Sequence, residues 1–221
     1  MAQCQVRNPV ATNNQCLKTK CKNVLRGHNQ PVDHLCDNDL ISTLKKGVLV
    51  NGNTLFWADE TLRLSCEKFA RALSITWGSN CEYWAYKKEK HRSGNNIEVA
   101  ELLNVCWLEV QGTFNANILA PCTEYEVVFD IKMTNCASGW DFPVKFTLNT
   151  PDGCKIESQK CMKQYIGKCN YQEINIGKFR TGSFPNPCES TVGFKLQELN
   201  GQWKRGLIVR GVIVRPVKGL C

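Results

Sequence analysis

Tyr125-Glu126-Val127-Val128-Phe129-Asp130-Ile131-Lys132-Met133 places an apolar side chain at every odd position. Glu126, Asp130 and Lys132 occupy three of the four even ones. That two-residue period belongs to a β-strand with one face in a core and the other turned toward water. It is the cleanest amphipathic strand in the chain, and the reading of its neighbours starts from it.

Downstream, Val144, Phe146 and Leu148 repeat the alternation, and Pro151-Asp152-Gly153 turns the chain. A cysteine-rich loop runs to Cys169, and Ile174 and Ile176 mark another short strand. Val192, Phe194, Leu196 and Glu198 share one face, with Lys195 and Gln197 opposite. Asn200-Gly201 turns again, and Leu207 to Arg215 forms a long final strand that Pro216 ends. Upstream, Cys106, Leu108 and Val110 fall on one face and Val105 and Trp107 on the other, so this strand reads as covered on both sides and Trp107 as structural. Residues 85–96 read as a charged, solvated loop. Leu73, Ile75 and Trp77 alternate with polar or small residues, which predicts a strand from Phe69 to Trp77. Gly78-Ser79-Asn80 breaks it, and a short loop leads to Tyr83-Trp84. Asn51-Gly52 is a hairpin signal between Val48-Leu49-Val50 and Leu55-Phe56-Trp57. Many short alternating strands, regular turns and little helix signal predict an all-β fold, an antiparallel β-sandwich of jelly-roll kind.

The chain has 221 residues, enough for one well-filled core. The sandwich is expected over residues 47–221, preceded by a basic, cysteine-rich extension over 1–46 without sustained periodicity. Of the net charge of +8, half falls in that extension, which holds seven Lys/Arg against three Asp/Glu. Such an excess is compatible with polyanion binding and is also what a solvated surface carries. No apolar run is long enough to span a bilayer, so no membrane partner is expected. The N-terminus has no apolar signal-peptide core. Fourteen cysteines would form a disulfide framework in a secreted chain. Without a secretory signal, their positions beside turns (Cys81, Cys122, Cys154, Cys188 and Cys221) suit conditional crosslinks between chains instead. Cys16, Cys21, His28, His34 and Cys36 are the residue types of a zinc site. Their spacing matches no tight Cys-x-x-Cys knuckle, and disulfides or free thiols are the plainer reading.

No catalytic constellation is present in the sequence: no phosphate loop, no His-Glu-x-x-His, no nucleophile elbow. The chain is expected not to be an enzyme and to need no cofactor. A binding site fits better. The Leu73-Ile75 series ends in Trp77, and the Val192-Phe194-Leu196 series ends in the carboxylate Glu198. A buried charge is costly, so that strand end is expected at the rim of the sandwich. With both ends at one rim, Trp77 and Trp84 supply flat apolar walls and Glu198 a hydrogen-bond acceptor. A sugar needs these two things, a surface for its C–H face and a partner for its hydroxyl or amide. Two aromatics beside a turn also serve a core or an interface.

Three stretches carry a family resemblance. They are Ala70-Arg-Ala-Leu-Ser-Ile-Thr-Trp-Gly78 with Tyr83-Trp84, Val99-Ala-Glu-Leu-Leu-Asn-Val-Cys-Trp-Leu-Glu-Val110, and Trp203-Lys-Arg-Gly-Leu-Ile-Val-Arg-Gly-Val-Ile-Val-Arg-Pro216. In this order they resemble the plant phloem protein 2, or Nictaba-related, lectins, and bracket roughly residues 47–217. With the cysteine-rich extension the chain resembles the dimeric cucurbit members. The resemblance implies a β-sandwich lectin for N-acetylglucosamine oligomers, such as chitin fragments and the N-glycan cores of glycoproteins. It implies sugar contacts at Trp77, Trp84 and Glu198, with Tyr83 beside them. A second family acid falls at Thr191, and the nearest carboxylate, Glu189, lies two residues away. A family Asp-Gly-Trp reads Cys169-Asn170-Tyr171 here. It further implies a homodimer in the cytoplasm of phloem companion cells and in sieve-tube sap, disulfide-linked into filaments with a partner phloem protein in wound defence. RNA transport is the alternative role it brings, and the basic extension and the Lys87–Arg92 stretch would serve it.

Overall fold

The computed structural model describes residues 9–26, 36–182 and 191–217; within these, the side chains of 9–16 and 37 fall outside the description. Two helices come first, α1 (Pro9–Arg26) and α2 (Asp37–Lys46). Strands follow: β1 (Val48–Val50), β2 (Thr54–Ala58), β3 (Leu64–Phe69), β4 (Ser74–Ile75), β5 (Trp84–Lys90), β6 (Asn96–Leu102) and β7 (Leu108–Asn115). The later ones are β8 (Glu124–Ser138), β9 (Val144–Asn149), β10 (Lys155–Lys160), β11 (Gln172–Arg180), β12 (Thr191–Glu198) and β13 (Arg205–Pro216).

β13 is the spine of the larger sheet. Along one edge it pairs with β8, which pairs in turn with β11. Its other edge is divided. Ile208 and Val209 pair with β6, which leads to β5, and Gly211 to Val214 pair with β3, which leads through β2 to β1. The second sheet runs β10-β9-β12-β7-β4, and all pairings in both sheets are antiparallel. The all-β expectation therefore holds. Tyr125, Val127, Phe129, Ile131 and Met133 are all buried between the sheets, as their alternation predicts. Across the gap Phe129 meets Phe146 and Phe194 of the facing sheet edge-on, with centroids 5.6 and 6.0 Å apart. The Asn51-Gly52 hairpin forms as read, both residues taking positive φ.

Three local readings change. The strand expected from Phe69 to Trp77 is broken by a turn of 3-10 helix at Ala70–Ala72, leaving only Ser74–Ile75 as strand. The expected charged loop 85–96 is mostly β5, an edge strand, where charged side chains are the usual guard against pairing with another sheet. The 1–46 segment, read as an extension without sustained periodicity, contains α1 and α2. Its period was present: Leu17, Cys21, Val24 and Leu25 share one helical face, as do Leu40 and Leu44. All six are buried, and Cys21, Val24, Leu25, Leu40 and Leu44 belong to the same apolar cluster as the two sheets. Burial pushes the Cys21 thiol up to about 11, as expected of a sulfur used for packing. No helix among the described residues is long and apolar enough to cross a membrane.

Candidate functional site

The site is built where β4 ends and where β7 and β13 begin. After Ile75 the chain turns tightly: the Gly78 amide donates to the Ile75 carbonyl (2.9 Å) and the Asn80 amide to the Trp77 carbonyl (2.9 Å). Trp77 takes a φ of +60° within this turn, uncommon for a residue with a Cβ and worth about 1–2 kcal/mol of strain. Its indole is 55% exposed. Tyr83 closes the turn and meets the Trp77 ring edge-on at 6.2 Å. Trp84, the next residue, points the other way. It is 2% exposed and its indole N–H donates to the Thr76 carbonyl (3.1 Å). The expected wall from Trp84 is thus corrected: Tyr83, half-buried at the end of the turn, borders the cleft, whereas Trp84, the first residue of β5, enters the core, where it anchors the turn that presents Trp77.

Two further tryptophans complete the surface. Trp107 precedes β7 and is 58% exposed; Trp203 precedes β13 and is 53% exposed. A bridge between Val105 and Lys204 holds their segments together: the Lys204 amide donates to the Val105 carbonyl (2.7 Å) and the Val105 amide to the Lys204 carbonyl (3.0 Å). Trp77, Tyr83, Trp107 and Trp203 line one cleft of about 190 Å³, floored by Val105 and Cys106. Enclosed sites for drug-sized ligands run to roughly 300–1,000 Å³. An open aromatic cleft of this size offers faces to stack on and does not engulf a ligand. The structural reading of Trp107 is therefore also corrected, since β7 begins only at Leu108 and the residue before it is not bound to the strand's inward face.

Glu198 lies beneath this surface. It is 8% exposed and forms an ion pair with Lys204, itself 1% exposed. Its Oε1 accepts from the Asn200 amide (2.9 Å). The Lys204 ammonium also donates to the carbonyls of Cys106 (2.7 Å) and Gln202 (2.6 Å). Burial lowers the pKa of Lys204. The expectation that Glu198 sits at the rim as a free acceptor gives way to a buried, paired carboxylate. The costly charge is tolerated here because a cation was buried with it. The structure thus brings Trp77 and Tyr83 together with Trp107 and Trp203, and sets Trp84 and Glu198 behind them.

Glu189 lies outside the described residues, as do His28 and His34. Cys16 falls in α1, with its side chain undescribed. Cys21 is buried, and Cys36 is exposed with its thiol donating to Asp39 Oδ2 (3.0 Å). Among the described residues no group of three or more His, Cys, Asp or Glu is placed to hold a metal ion. Cys36, Cys81, Cys136, Cys154, Cys161 and Cys169 present exposed thiols.

Residues 68–216 match the family model described as Phloem protein 2. The chain is 34% identical over 203 residues to the protein called PHLOEM PROTEIN 2-LIKE A1 of Arabidopsis thaliana, covering 89% of this chain and 80% of that one. It is likewise 34% identical over 182 residues to a protein of Luffa acutangula named as a lectin, covering 80% of this chain and 83% of that one. Among solved structures, the CBM22-1 xylan-binding domain of Paenibacillus barcinonensis Xyn10C superposes with a TM-score of 0.37 at 9% identity. That match covers 68% of this chain and 89% of that domain, and a superposition so loose carries no argument.

Proposed function

The chain belongs to the phloem protein 2 family, and from that premise we propose that it is a phloem lectin that binds N-acetylglucosamine oligomers by recognition alone. The observation that carries this reading is the cleft, with three half-exposed indoles and a tyrosine ring around one opening. Exposing that much aromatic surface has no benefit for a folded chain in water. It suits a pyranose, whose C–H face packs on an indole while its acetamido and hydroxyl groups reach outward to polar atoms at the rim. Each stacked ring adds roughly 1 kcal/mol beyond burial, taking aromatic pairs as the guide. Chitin fragments and the N-glycan cores of glycoproteins carry such units in series. A homodimer would bring two such clefts to one particle and gain avidity without any new contact.

Tryptophan fluorescence titrated with N,N′,N″-triacetylchitotriose at low and high salt tests this directly. The expected result is a saturable change whose midpoint stays put as salt rises. A midpoint that moves steeply with salt would point to phosphate contacts. It would favour RNA as the partner, for which the net charge of +8 and the exposed Lys87, Lys88 and Lys90 on β5 speak. No change at any concentration overturns the lectin reading.

The exposed thiols give the same protein a second mode, covalent assembly into phloem filaments with a partner protein under oxidising conditions. None of these thiols lines the cleft, although Cys81 sits in the turn between Trp77 and Tyr83, so crosslinking through Cys36, Cys154, Cys161 or Cys169 is expected to be separable from sugar binding. Oxidised protein is expected to run as covalent oligomers on a non-reducing gel, and reduction to return it to single chains with the chitotriose titration unaltered. Binding that vanishes on reduction would mean that disulfides shape the site.

A further inference from the structure

We infer that Glu198 and Lys204 are positioning residues: a buried ion pair beneath the cleft that fixes the two segments carrying Trp107 and Trp203, without touching the ligand. The inference rests on the lectin reading for its consequence and on the geometry for its content. Lys204 is fully buried, and an ammonium is expensive to bury. Its donors are directed to two separate segments. One bond goes to the carbonyl of Cys106, the residue before Trp107. Another goes to the carbonyl of Gln202, the residue before Trp203, and Asn200 Oδ1 lies at 3.5 Å. Glu198 supplies the balancing charge from the end of β12 and takes the Asn200 amide, so it also holds the turn that leads to Trp203. Neither residue lines the cleft.

The surroundings support the same role. The Gln202 side chain donates to Asp141, and the backbone of Gly139 packs so closely on the Trp203 carbonyl that a Cβ there would lie 1.9 Å from it. The Trp203 turn is therefore braced from the far side, and the Lys204 ammonium adds a side-chain tie to the Cys106–Trp107 segment beside the Val105–Lys204 backbone bridge. A rigid platform does not lose ordering entropy when the ligand arrives, which is how a group without ligand contact raises affinity.

The test uses Glu198→Gln, Lys204→Met and the double variant, each read in two ways. The first is chitotriose affinity by calorimetry, well below the melting midpoint. The second, without ligand, is the indole N–H resonances of Trp107 and Trp203 in ¹⁵N-labelled protein, assigned with Trp107→Phe and Trp203→Phe. Each single variant is expected to weaken binding about tenfold, and the double variant by less than the product of the two, because the residues share the ion pair between them. The Trp107 and Trp203 resonances are expected to shift or broaden in all three, with Trp57 unmoved. Glu198→Gln that weakens binding while both resonances stay in place would overturn the inference and make Glu198 a ligand contact. Should a single variant fail to fold, having left one charge alone, the double variant removes both together.

The wild-type chain gives an arm free of variants. As pH rises and the buried ammonium, faced by the Glu198 carboxylate and the Cys106 thiol, loses its proton, both resonances are expected to move and affinity to fall. Lys204→Met is expected to be flat over that range, and a flat wild-type profile counts against the inference. If the wild type binds no chitotriose, the lectin reading fails, and the ligand-free resonances still decide whether the pair positions the two tryptophans.

Discussion

Trp77→Gly is expected to lower chitotriose affinity by at least about thirtyfold, the loss of roughly 2 kcal/mol typical of a central tryptophan in a binding surface. The same substitution is expected to leave the fold within about 1 kcal/mol of its original stability. Two effects on stability oppose each other. The edge contact with Tyr83 is lost, worth about 0.5–1.5 kcal/mol. The strain of a β-carbon at a φ of +60° is relieved, worth about 1–2 kcal/mol. Glycine's greater freedom in the unfolded chain takes back part of that relief. Trp84→Ala, seven positions on, is expected to behave in the opposite way. It opens a cavity under the turn and is expected to cost about 3–5 kcal/mol of stability, with binding lost only as the turn loosens. Chemical denaturation and calorimetry on the two variants separate these outcomes. A Trp77→Gly protein that binds as the wild type does would remove Trp77 from the site. A destabilised Trp77→Gly protein would show that the indole is structural and its exposure incidental.

The pair illustrates how far the sequence could be read. That Trp77 stands at the end of an apolar series beside a turn is visible in the letters, and so is Tyr83-Trp84 at the far side. Which member of an adjacent aromatic pair faces water depends on where β5 begins, and a one-residue choice reverses both. Trp107 was hidden for a similar reason: apolar residues on both sides of a short run look like a central strand, when the run begins one residue later. Trp203 lies outside any alternation, after a turn, and the Lys204–Val105 bridge brings it to the others. The Glu198–Lys204 pair sits close in sequence, yet pattern gave no reason to bury the lysine. By contrast the inward faces of β8, β9 and β12 were legible throughout, because their side chains repeat every second residue over whole strands. The helices were missed although their four- and three-residue spacings are plain in Leu17-Cys21-Val24 and Leu40-Leu44, since a polar composition masked the stripe.

A second buried charge lies on a different face of the molecule, and it governs stability. Asp130 on β8 is 1% exposed and accepts from Arg210 of β13 at 2.7 Å. Burial first, and the neighbouring Glu67 carboxylate as well, push Asp130 up to about 6, against the pull of Arg210 and Arg92. Arg210 in turn stacks its guanidinium on Tyr171, 3.4 Å from the ring centroid, and Tyr171 donates its hydroxyl to Glu89 (2.8 Å). His91 stands 3.2 Å from Glu67 on the same face. Arg210→Ala therefore leaves Asp130 buried beside another carboxylate with its nearest cation gone. At neutral pH this is expected to cost about 3–5 kcal/mol. The sign with pH follows from the direction of the shift. A carboxyl raised above its unfolded value holds its proton more tightly in the native state, so its contribution to stability is intact below about 4 and falls as pH rises through about 6. Removing Arg210 raises Asp130 further and moves that fall to higher pH. The stability gap between wild type and variant is expected to be widest at pH 7 and to narrow by pH 5, as Asp130 takes up its proton. Urea denaturation at the two pH values measures it. A gap that is constant with pH would mean that the arginine contributes through its packing on Tyr171, and that the charge on Asp130 is met by Arg92 instead.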